Sequence, residues 1–441
     1  MPGSILSGIT VSRIGQTSPI AFGVSNIADM RVFMDPARKA RIPFSSGEAL
    51  NPYGASVRDA SSPDVASRPG GNGAASTQGS VRVGEGVWRI SVPVMEIPTV
   101  ATFVYAVEAG PRLLLIDAGW NDPIGWEALQ AGFAHAGLDM TAVEGVILTH
   151  HHPDHSGLAG QVQNLADCWI AMHEADCDLL QEVADLISVD KHEEWETDNL
   201  RKAGASQADI DAFVRQGSMA ASTRPTMPDR KLTDREAVTC EDRTLTVIAT
   251  PGHTPGHMCL AESDRQLLFS GDHILSRTTP HIGQYDYPLD VANPLEDYFR
   301  SLQRIRPLQG WTIHPAHEGT IEDLGARLSE IEAHHCDRLN DVMSILADQP
   351  LSLWAVTAAL KWQGKWEDLP PISRQLALAE AAAHVQYLVR LGRVRRIGGF
   401  PETFLSTSDT FALSMAPSRG GSLTATTNCT TTSEACHDAQ R

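Results

Sequence analysis

Short apolar runs recur along the middle of the chain and are separated by stretches whose apolar residues have helical spacing. Residues 86–94 alternate between apolar and polar side chains, which is typical of a half-buried strand. Because hairpins are mixed with β-α units, the pattern predicts an α/β protein built as a sandwich rather than on a purely parallel sheet. Further strands are predicted at 102–107, 112–116, 143–148, 168–172, 244–249 and 266–269, and helices at 123–136, from Ser156 and from Glu174.

The two ends of the chain differ from its middle in amino-acid composition. Residues 45–80 are rich in Ser, Gly, Ala, Pro and Asn, so residues 1–81 are expected to form a disordered or loosely attached N-terminal extension. Residues 401–441 are rich in Ser, Thr and Gly and predict a low-complexity tail. The main domain is expected at residues 82–320, with a charged, helical insertion at about 185–235.

Residues 321–400 predict a small C-terminal module. Apolar residues recur at helical spacing from Leu324 to Leu346, although the stripe is interrupted at His335. Helices at 353–360 and 372–391 and a strand at 392–397 complete a winged-helix-like pattern. Such modules often bind DNA, but the helices of this one also carry acidic and apolar residues. Packing or homodimerisation is therefore preferred over nucleic-acid binding, for which the support is a cluster of Arg390, Arg393, Arg395 and Arg396.

Composition narrows the function further. The 441 residues carry a formal net charge of -19, which opposes a general affinity for nucleic acid because such binding needs a surplus of Lys and Arg. No apolar stretch approaches the ~20 residues that cross a bilayer, and the N-terminus lacks the pattern of a secretory signal. The cysteines form no CxxC pair, so free thiols and a cytoplasmic location are expected.

The densest group of chemically active residues is the run from His150 to His155, which follows the apolar residues 145–148. Side chains of an extended chain alternate with period two, so His150 and His152 are expected to point the same way. Asp154 and His155 would then face a second ion. Imidazole and carboxylate are ligands that zinc and similar metals prefer, so the run indicates a metal site rather than a chance cluster in a polar loop.

Three later loops supply further candidate ligands. His253 lies in TPGHTPGH, Asp272 in SGDH and His317 in HPAHEG, and each loop follows an apolar segment. One such coincidence carries little weight. Four in series predict a metal centre built from the ends of several strands.

Together with Asp117-Ala118-Gly119, these motifs closely resemble those of the metallo-beta-lactamase superfamily over residues 82–320. The resemblance implies an αββα sandwich, and residues 321–400 are similar to the winged-helix tail of the branch that includes beta-lactamase-like protein 2. The TPGHTPGH form is also similar to that of hydroxyacylglutathione hydrolases. Two divalent metal ions are implied, zinc before manganese or iron. The implied first site is His150, His152 and His253, the second is Asp154, His155 and His317, Asp272 bridges both, and Asp117 orients a ligand.

The remaining histidines of these segments are expected to have structural roles. They are His151, His257, His273, His314, His334 and His335. Period-two alternation turns His151 away from the ions, and the last two, on the C-terminal helix, are expected at a surface or an interface. The resemblance further suggests that His281 and Tyr285, in the Gly/Pro-rich loop after Asp272, line the substrate pocket.

Two dications about 3.5–4 Å apart can lower the pKa of a bridging water toward about 7. The bridging hydroxide then attacks a carbonyl or a phosphorus, and Asp154 is the expected catalytic proton shuttle to the leaving group. Since this chemistry serves thioesters, lactones, β-lactams and phosphodiesters alike, the fold does not choose the substrate.

The substrate preference depends on weaker features. The net acidity disfavours RNA, and Trp195 and Phe213 in the insertion would suit an acyl group, so a hydrolase of a small-molecule ester, thioester or lactone is expected. The first alternative is a metal-dependent endoribonuclease or phosphodiesterase, supported by the C-terminal module and its arginines. The second is a non-catalytic regulator on the same fold, which the complete ligand set opposes.

Overall fold

The computed structural model describes residues 79–94, 97–187, 192–216, 226–285, 292–407, 413–414 and 424–425. The extension predicted for residues 1–81 and the tail predicted for residues 401–441 lie mostly outside these ranges. Within them, no helix is both long enough and apolar enough to cross a bilayer.

A mixed sheet of seven strands forms one half of the sandwich, and its strands follow one another in chain order. The strands are β1 (Ser80–Gly84), β2 (Val87–Val94), β3 (Ile97–Ala109), β4 (Arg112–Ile116), β5 (Val143–Ile147), β6 (Trp169–His173) and β7 (Arg230–Leu232). Neighbours from β1 to β4 are antiparallel, and neighbours from β4 to β7 are parallel. The loops after β4 and β5 therefore leave the sheet at the same edge.

A second sheet of five strands forms the other half. Its strands are β8 (Ala237–Cys240), β9 (Arg243–Ala249), β10 (Met258–Glu262), β11 (Leu267–Gly271) and β12 (Thr312–Pro315). Their order in the sheet is β12-β11-β10-β9-β8. Since β11 and β12 are parallel and the other neighbours are antiparallel, the loops after β9, β11 and β12 also share one edge.

Helices surround the two sheets. They are α1 (Pro123–Ala136), α2 (Pro153–Ser156), α3 (Ala159–Ala166), α4 (Glu174–Ile187), α5 (His192–Ala203), α6 (Gln207–Gln216), α7 (Pro294–Ile305), α8 (Leu324–Ile345), α9 (Leu353–Ala359) and α10 (Pro371–Arg390). Local signals set the bounds of α1: the Asp122 side chain accepts a hydrogen bond from the Gly125 N–H, and Gly137 ends the helix in the left-handed conformation.

Strand β4 shows how the layers are separated. Leu114 belongs to the apolar cluster between the sheets, together with Val247 of β9 and Phe269 of β11. The next residue, Leu115, belongs instead to the cluster under α1, together with Phe133. Side chains that alternate in this way give one sheet two buried faces.

The outer face of the second sheet is covered by helices as well. Ala261 of β10 and Leu268 of β11 share one apolar cluster with Leu302 of α7, Leu339 of α8 and Leu200 of α5. The helical layers on both outer faces confirm the predicted αββα sandwich. The described part of the insertion contains the end of α4, helices α5 and α6, which join this cluster, and the edge strand β7.

The C-terminal region contains α8, α9 and α10 and a small antiparallel sheet. Its strands are β13 (Leu351–Ser352), β14 (Val394–Ile397) and β15 (Thr403–Ser406), in the order β13-β15-β14, and a separate pair is formed by β16 (Leu413–Ser414) and β17 (Thr424–Ala425). Strand β15 lies in the predicted low-complexity tail, so that boundary was wrong. Its Phe404 is fully buried. The strand has only four residues, of which two are apolar, so its sequence shows no clear alternation. The winged-helix interpretation stays a prediction.

The expectation that His335 lies at a surface or an interface was also wrong. Helix α8 continues through His335, which is 1% exposed. His335 lies four residues after the buried Ile331 and four before the buried Leu339. It therefore belongs to the buried face of α8 and does not interrupt it. Its Nδ1 lies 3.1 Å from Nε2 of the buried His384, whose Nδ1 is 2.7 Å from the Glu380 carbonyl oxygen.

This buried histidine pair makes stability depend on pH. Burial lowers the pKa of His384 to about 4, with Arg338 and His334 adding to the effect and the Glu380 carboxylate opposing it. The unfolded chain therefore takes up a proton near pH 6.5 that the folded chain refuses until about pH 4. The stability supplied by neutral His384 is complete above pH 6.5 and is lost as the pH falls through this window, at roughly 1.4 kcal/mol per pH unit.

We therefore predict that His384→Gln flattens the pH dependence of unfolding. Glutamine keeps a donor and an acceptor but does not titrate, so between pH 6.5 and pH 4 the urea midpoint should fall less steeply than in the wild type. Urea unfolding at several pH values measures both slopes. Parallel slopes in the two proteins would contradict the prediction, whatever the difference in their stability at pH 7.

Candidate metal centre

Loops from both sheets meet at one edge of the sandwich. The loop after β5 carries the run from His150 to His155, and the loops after β9, β11 and β12 carry His253, Asp272 and His317. Within the described residues, these side chains form three overlapping groups that could each hold a metal ion. The fold thus brings together all seven predicted ligands.

The first group consists of three histidines. His150 Nε2 lies 3.0 Å from His152 Nδ1, and His253 Nε2 lies 3.2 Å from the former and 3.0 Å from the latter. Nitrogens that bind one zinc ion tetrahedrally at about 2.0–2.1 Å are about 3.3 Å apart. The three nitrogens therefore already have nearly the spacing of one coordination sphere.

The second group consists of two histidines and a carboxylate. Asp154 Oδ2 lies 3.5 Å from His155 Nε2 and 3.3 Å from His317 Nε2. Thr102 donates a hydrogen bond of 3.3 Å to the same oxygen. Helix α2 begins directly before Asp154, which explains why two adjacent residues of this run can face the same centre.

Asp272 lies between the two groups. Its Oδ1 is 3.5 Å from His155 Nε2 and 3.3 Å from His317 Nε2, on the side of the second group. Its Oδ2 is 3.6 Å from His253 Nε2, on the side of the first group. One carboxylate thus presents an oxygen to each group, as the predicted bridging role requires.

Two buried atoms of this centre have no hydrogen-bond partner among the described residues. They are His155 Nε2 and Asp272 Oδ1, which face each other across 3.5 Å. Buried polar atoms are otherwise almost always paired, and this separation is close to that of two ligands on one ion. The residues present therefore fit a cation.

Electrostatics favour the ligand forms of the first group. Burial lowers the pKa of His150 and His152 well below the usual range, and the neighbouring histidines lower it further. The pKa of His253 is lowered chiefly by burial as well. All three rings are thus held neutral, which is the form that binds a metal.

The second group has the opposite balance of charge. Burial opposes ionisation of Asp154 and Asp272, but the histidines beside them outweigh it and lower both carboxyl pKa values. Burial likewise opposes protonation of His317, but the two carboxylates outweigh it and raise the pKa to about 10. Protons on His317 and His155 thus balance the buried charges of the two carboxylates. A divalent cation held here would take the place of these protons and balance the same carboxylates.

Asp117 orients two candidate ligands through their Nδ1 side, directly or through Thr149. It follows β4 in the left-handed conformation, at φ 59, and its Oδ2 lies 2.8 Å from His155 Nδ1. Its Oδ1 accepts hydrogen bonds from the N–H and the hydroxyl of Thr149, at 2.8 and 3.0 Å. The Thr149 hydroxyl also lies 3.1 Å from His150 Nδ1. The Nε2 atoms of His150 and His155 are therefore left to face the centre.

Backbone carbonyls orient two more rings. His253 Nδ1 lies 2.8 Å from the carbonyl oxygen of His281, and His317 Nδ1 lies 2.8 Å from that of Ala101. Contacts of this kind fix the tautomer of a ligating histidine and aim its other nitrogen.

The other loop histidines lie outside the ligand groups. His151 turns away, as expected, and its ring contacts Asp176. His257 accepts a hydrogen bond from the backbone N–H of Asp272 at 3.1 Å and lies 2.8 Å from the Thr250 hydroxyl, which agrees with a structural role. His273 and His314 are buried. Asp176 was missed by the sequence reasoning, because it belongs to no motif.

The predicted substrate residues have a mixed outcome. The His281 ring is buried and contacts the carbonyl of Leu376 on α10 at 3.0 Å, while Tyr285 is 38% exposed and its hydroxyl lies 3.3 Å from His281 Nδ1. Their role in substrate binding stays a prediction. Phe213 is 4% exposed and packs in the outer apolar cluster, so it is not available to an acyl group, whereas Trp195 is half-buried on α5.

The chain is similar in sequence to known proteins. The sequence model of the metallo-beta-lactamase superfamily matches residues 97–317, which are about half of the chain and include every candidate ligand. A probable metallo-hydrolase of Bacillus subtilis, YqjP, is 26% identical over 65% of this chain and 86% of its own length. A beta-lactamase-like protein 2 homolog of Caenorhabditis elegans is 25% identical, over 56% and 66%. An atrochrysone carboxyl ACP thioesterase of Aspergillus fumigatus is 24% identical, over 57% and 46%.

Solved structures show the same fold. A metallo-beta-lactamase family protein from Thermus thermophilus has a TM-score of 0.60 and 27% identity, covering 73% of this chain and 98% of that chain. A beta-lactamase domain protein from Burkholderia ambifaria has a TM-score of 0.64 and 23% identity, covering 74% and 94%.

We predict that Gly271→Ala displaces Asp272 and lowers the amount of divalent metal that the protein retains. Gly271 has a φ of +49, and an added Cβ would lie 2.7 Å from His257 Nε2 and 2.9 Å from Thr149. Both neighbours are buried and hydrogen-bonded, so the backbone that carries Asp272 must move instead. Metal analysis of the purified variant measures the loss.

Gly137→Ala is the matched control for backbone strain. Gly137 has a φ of +71 but no atom within 4 Å of an added Cβ, so this variant should lose only about 1 kcal/mol of stability and keep its metal content. Equal metal content in the two variants would contradict the prediction.

Proposed function

Because the chain belongs to the metallo-beta-lactamase superfamily and is a hydrolase of that fold, we propose that it hydrolyses a small-molecule ester, thioester or lactone at a dinuclear centre. Zinc is the proposed metal, with manganese or iron as alternatives. The observation that carries the proposal is Asp272, whose two oxygens face the two ligand groups. Shared carboxylates of this kind hold two ions at the separation that two-metal hydrolysis uses.

When bound, such ions supply a water of lowered pKa and polarise the oxygen of the electrophile. The protein's own part is to hold and to move protons. Asp154 is buried, and His155 and His317 hold its pKa below the usual range against the effect of burial. Its Oδ2 lies 3.3 Å from Nε2 of His317 in the second group. As a carboxylate, Asp154 would first accept the proton that the attacking hydroxide loses, and we assign to it the transfer of that proton to the leaving group. No thiol nucleophile is required, and burial raises the pKa of Cys259 in strand β10 to about 12.

The substrate class is supported by two observations. One relative is named as a thioesterase, and the formal net charge of -19 disfavours polyanionic substrates. The arginines of the C-terminal region are partly neutralised within the chain, since Arg390 lies 3.9 Å from Glu296 and Arg396 lies 3.9 Å from Glu402. This weakens the alternative of an endoribonuclease or phosphodiesterase.

The metal content tests the dinuclear centre. Protein purified without chelator is expected to hold close to two divalent ions per chain, and His253→Ala and His317→Ala should each retain about one, because each removes a ligand from a different group. Elemental analysis of the folded proteins measures this. A wild-type protein without bound metal, or two variants that lose both ions alike, would contradict two separable sites.

A substrate panel tests the proposed class. Acyl thioesters, lactones, a cephalosporin reporter and single-stranded RNA are each incubated with the metal-loaded protein, and cleavage of a thioester or lactone is expected. Asp154→Ala is the control, since it should abolish every activity that belongs to this centre while circular dichroism shows an unchanged fold. Cleavage of RNA alone would overturn the proposed class, and full activity of Asp154→Ala would overturn the assigned role.

A further inference from the structure

Asp176 is a fully buried carboxylate that lies outside the ligand set. It stands in the first turn of α4, just after β6, and its exposure is 0%. A buried charge without partners costs several kcal/mol. Its burial therefore requires strong contacts, and these contacts show which parts of the structure Asp176 holds together.

The two oxygens of Asp176 connect two loops that are distant in the sequence. Oδ2 accepts a hydrogen bond from the backbone N–H of His151 at 3.0 Å and lies 3.1 Å from the Nδ1 of its ring. The same oxygen accepts one from the Thr254 hydroxyl at 2.8 Å. Oδ1 accepts one from the Gly256 N–H at 2.6 Å.

The residues that Asp176 contacts are neighbours of candidate ligands of the first metal site. His151 stands between the candidate ligands His150 and His152, and Thr254 follows the candidate ligand His253. The three ligand nitrogens lie 3.0 to 3.2 Å apart, so a shift of either loop would change their spacing directly.

The approach of the second loop is too close for any side chain. An added Cβ at Gly256 would lie 2.4 Å from the Asp176 nitrogen and 2.7 Å from its Cβ. The charge is also stabilised where it lies: burial would raise the pKa of Asp176, but His151 and the hydrogen bonds from Thr254 and Gly256 outweigh burial and lower it. The contact is therefore tight, and its acceptor is an ionised carboxylate.

We propose that Asp176 is a positioning residue for the first metal site and holds the loop of His150 and His152 at a fixed distance from the loop of His253. Among the described residues, its hydrogen bonds reach no ligand of the second group. Removing its charge should therefore weaken one site and spare the other. The proposal rests on the dinuclear centre proposed above.

Asp176→Asn tests this role. The amide keeps the shape but replaces one acceptor oxygen with an NH2 group, so one donor of the two loops faces another donor. We expect the affinity of the first site for zinc to fall roughly 10–100-fold, as is typical when a group behind a ligand is lost, with the second site unchanged. Zinc is titrated into metal-free protein against a competing chelator, and His253→Ala and His317→Ala identify the two sites in the titration.

Asp178→Asn is the matched control. Asp178 lies two residues further along the same helix, is 63% exposed and pairs with Lys231 at the surface, so this variant should bind zinc like the wild type. Thr254→Val is a milder test, because it removes one hydrogen bond to Asp176 and should weaken the first site less. The unfolding temperature of each metal-free protein measures the stability of the fold separately.

The outcomes of these titrations separate the two proposals. A wild type that binds no zinc overturns the dinuclear centre itself. A wild type that binds two ions, with Asp176→Asn and Asp178→Asn alike, overturns only the role of Asp176. If both sites weaken equally and the metal-free protein unfolds at a lower temperature, Asp176 has a general structural role and the proposal is wrong. Loss confined to the first site, repeated more weakly in Thr254→Val, supports it.

Discussion

The apolar packing between the two sheets is the constraint on which the candidate centre depends. The candidate ligands of the run after β5 come from the first sheet, whereas His253, Asp272 and His317 come from the second. Metal–ligand distances tolerate only a few tenths of an ångström, so the distance between the sheets must be fixed to a similar degree. Close-packed side chains between them, among which Leu114 and Phe269 are almost completely buried, provide this rigidity because such interiors resist compression.

Much of the fold could be predicted because local signals were strong where elements were long. Helix α1 was predicted at its observed bounds, since Asp122 and Gly137 cap it. Strand β15 was missed because Phe404 is buried by partners that the local pattern does not reveal. His335 was misplaced for a related reason: a polar residue in an apolar stripe looks like an interruption, although a buried partner, His384, makes it acceptable.

The site could be predicted as far as its chemistry is carried by residue type and spacing. The seven candidate ligands and Asp117 stand in short motifs at strand ends, and a cation site needs those types of side chain. Asp176 could not be found in this way, because its contacts join residues 25 and 80 positions apart. The role suggested for Phe213 failed because an aromatic residue on an amphipathic helix can serve a core as well as a ligand.

The apolar cluster on the outer face of the second sheet joins the domain that carries the candidate ligands to the C-terminal helices. The family match stops at residue 317, but Ala261 and Leu268 of that sheet are covered partly by Leu339 and other residues of the C-terminal helices. A chain cut after the last ligand would expose this face to water, and exposed apolar patches of this kind promote aggregation. The hydrophobic core behind the second sheet thus continues past residue 317, so a boundary drawn from motif similarity would divide a single apolar cluster.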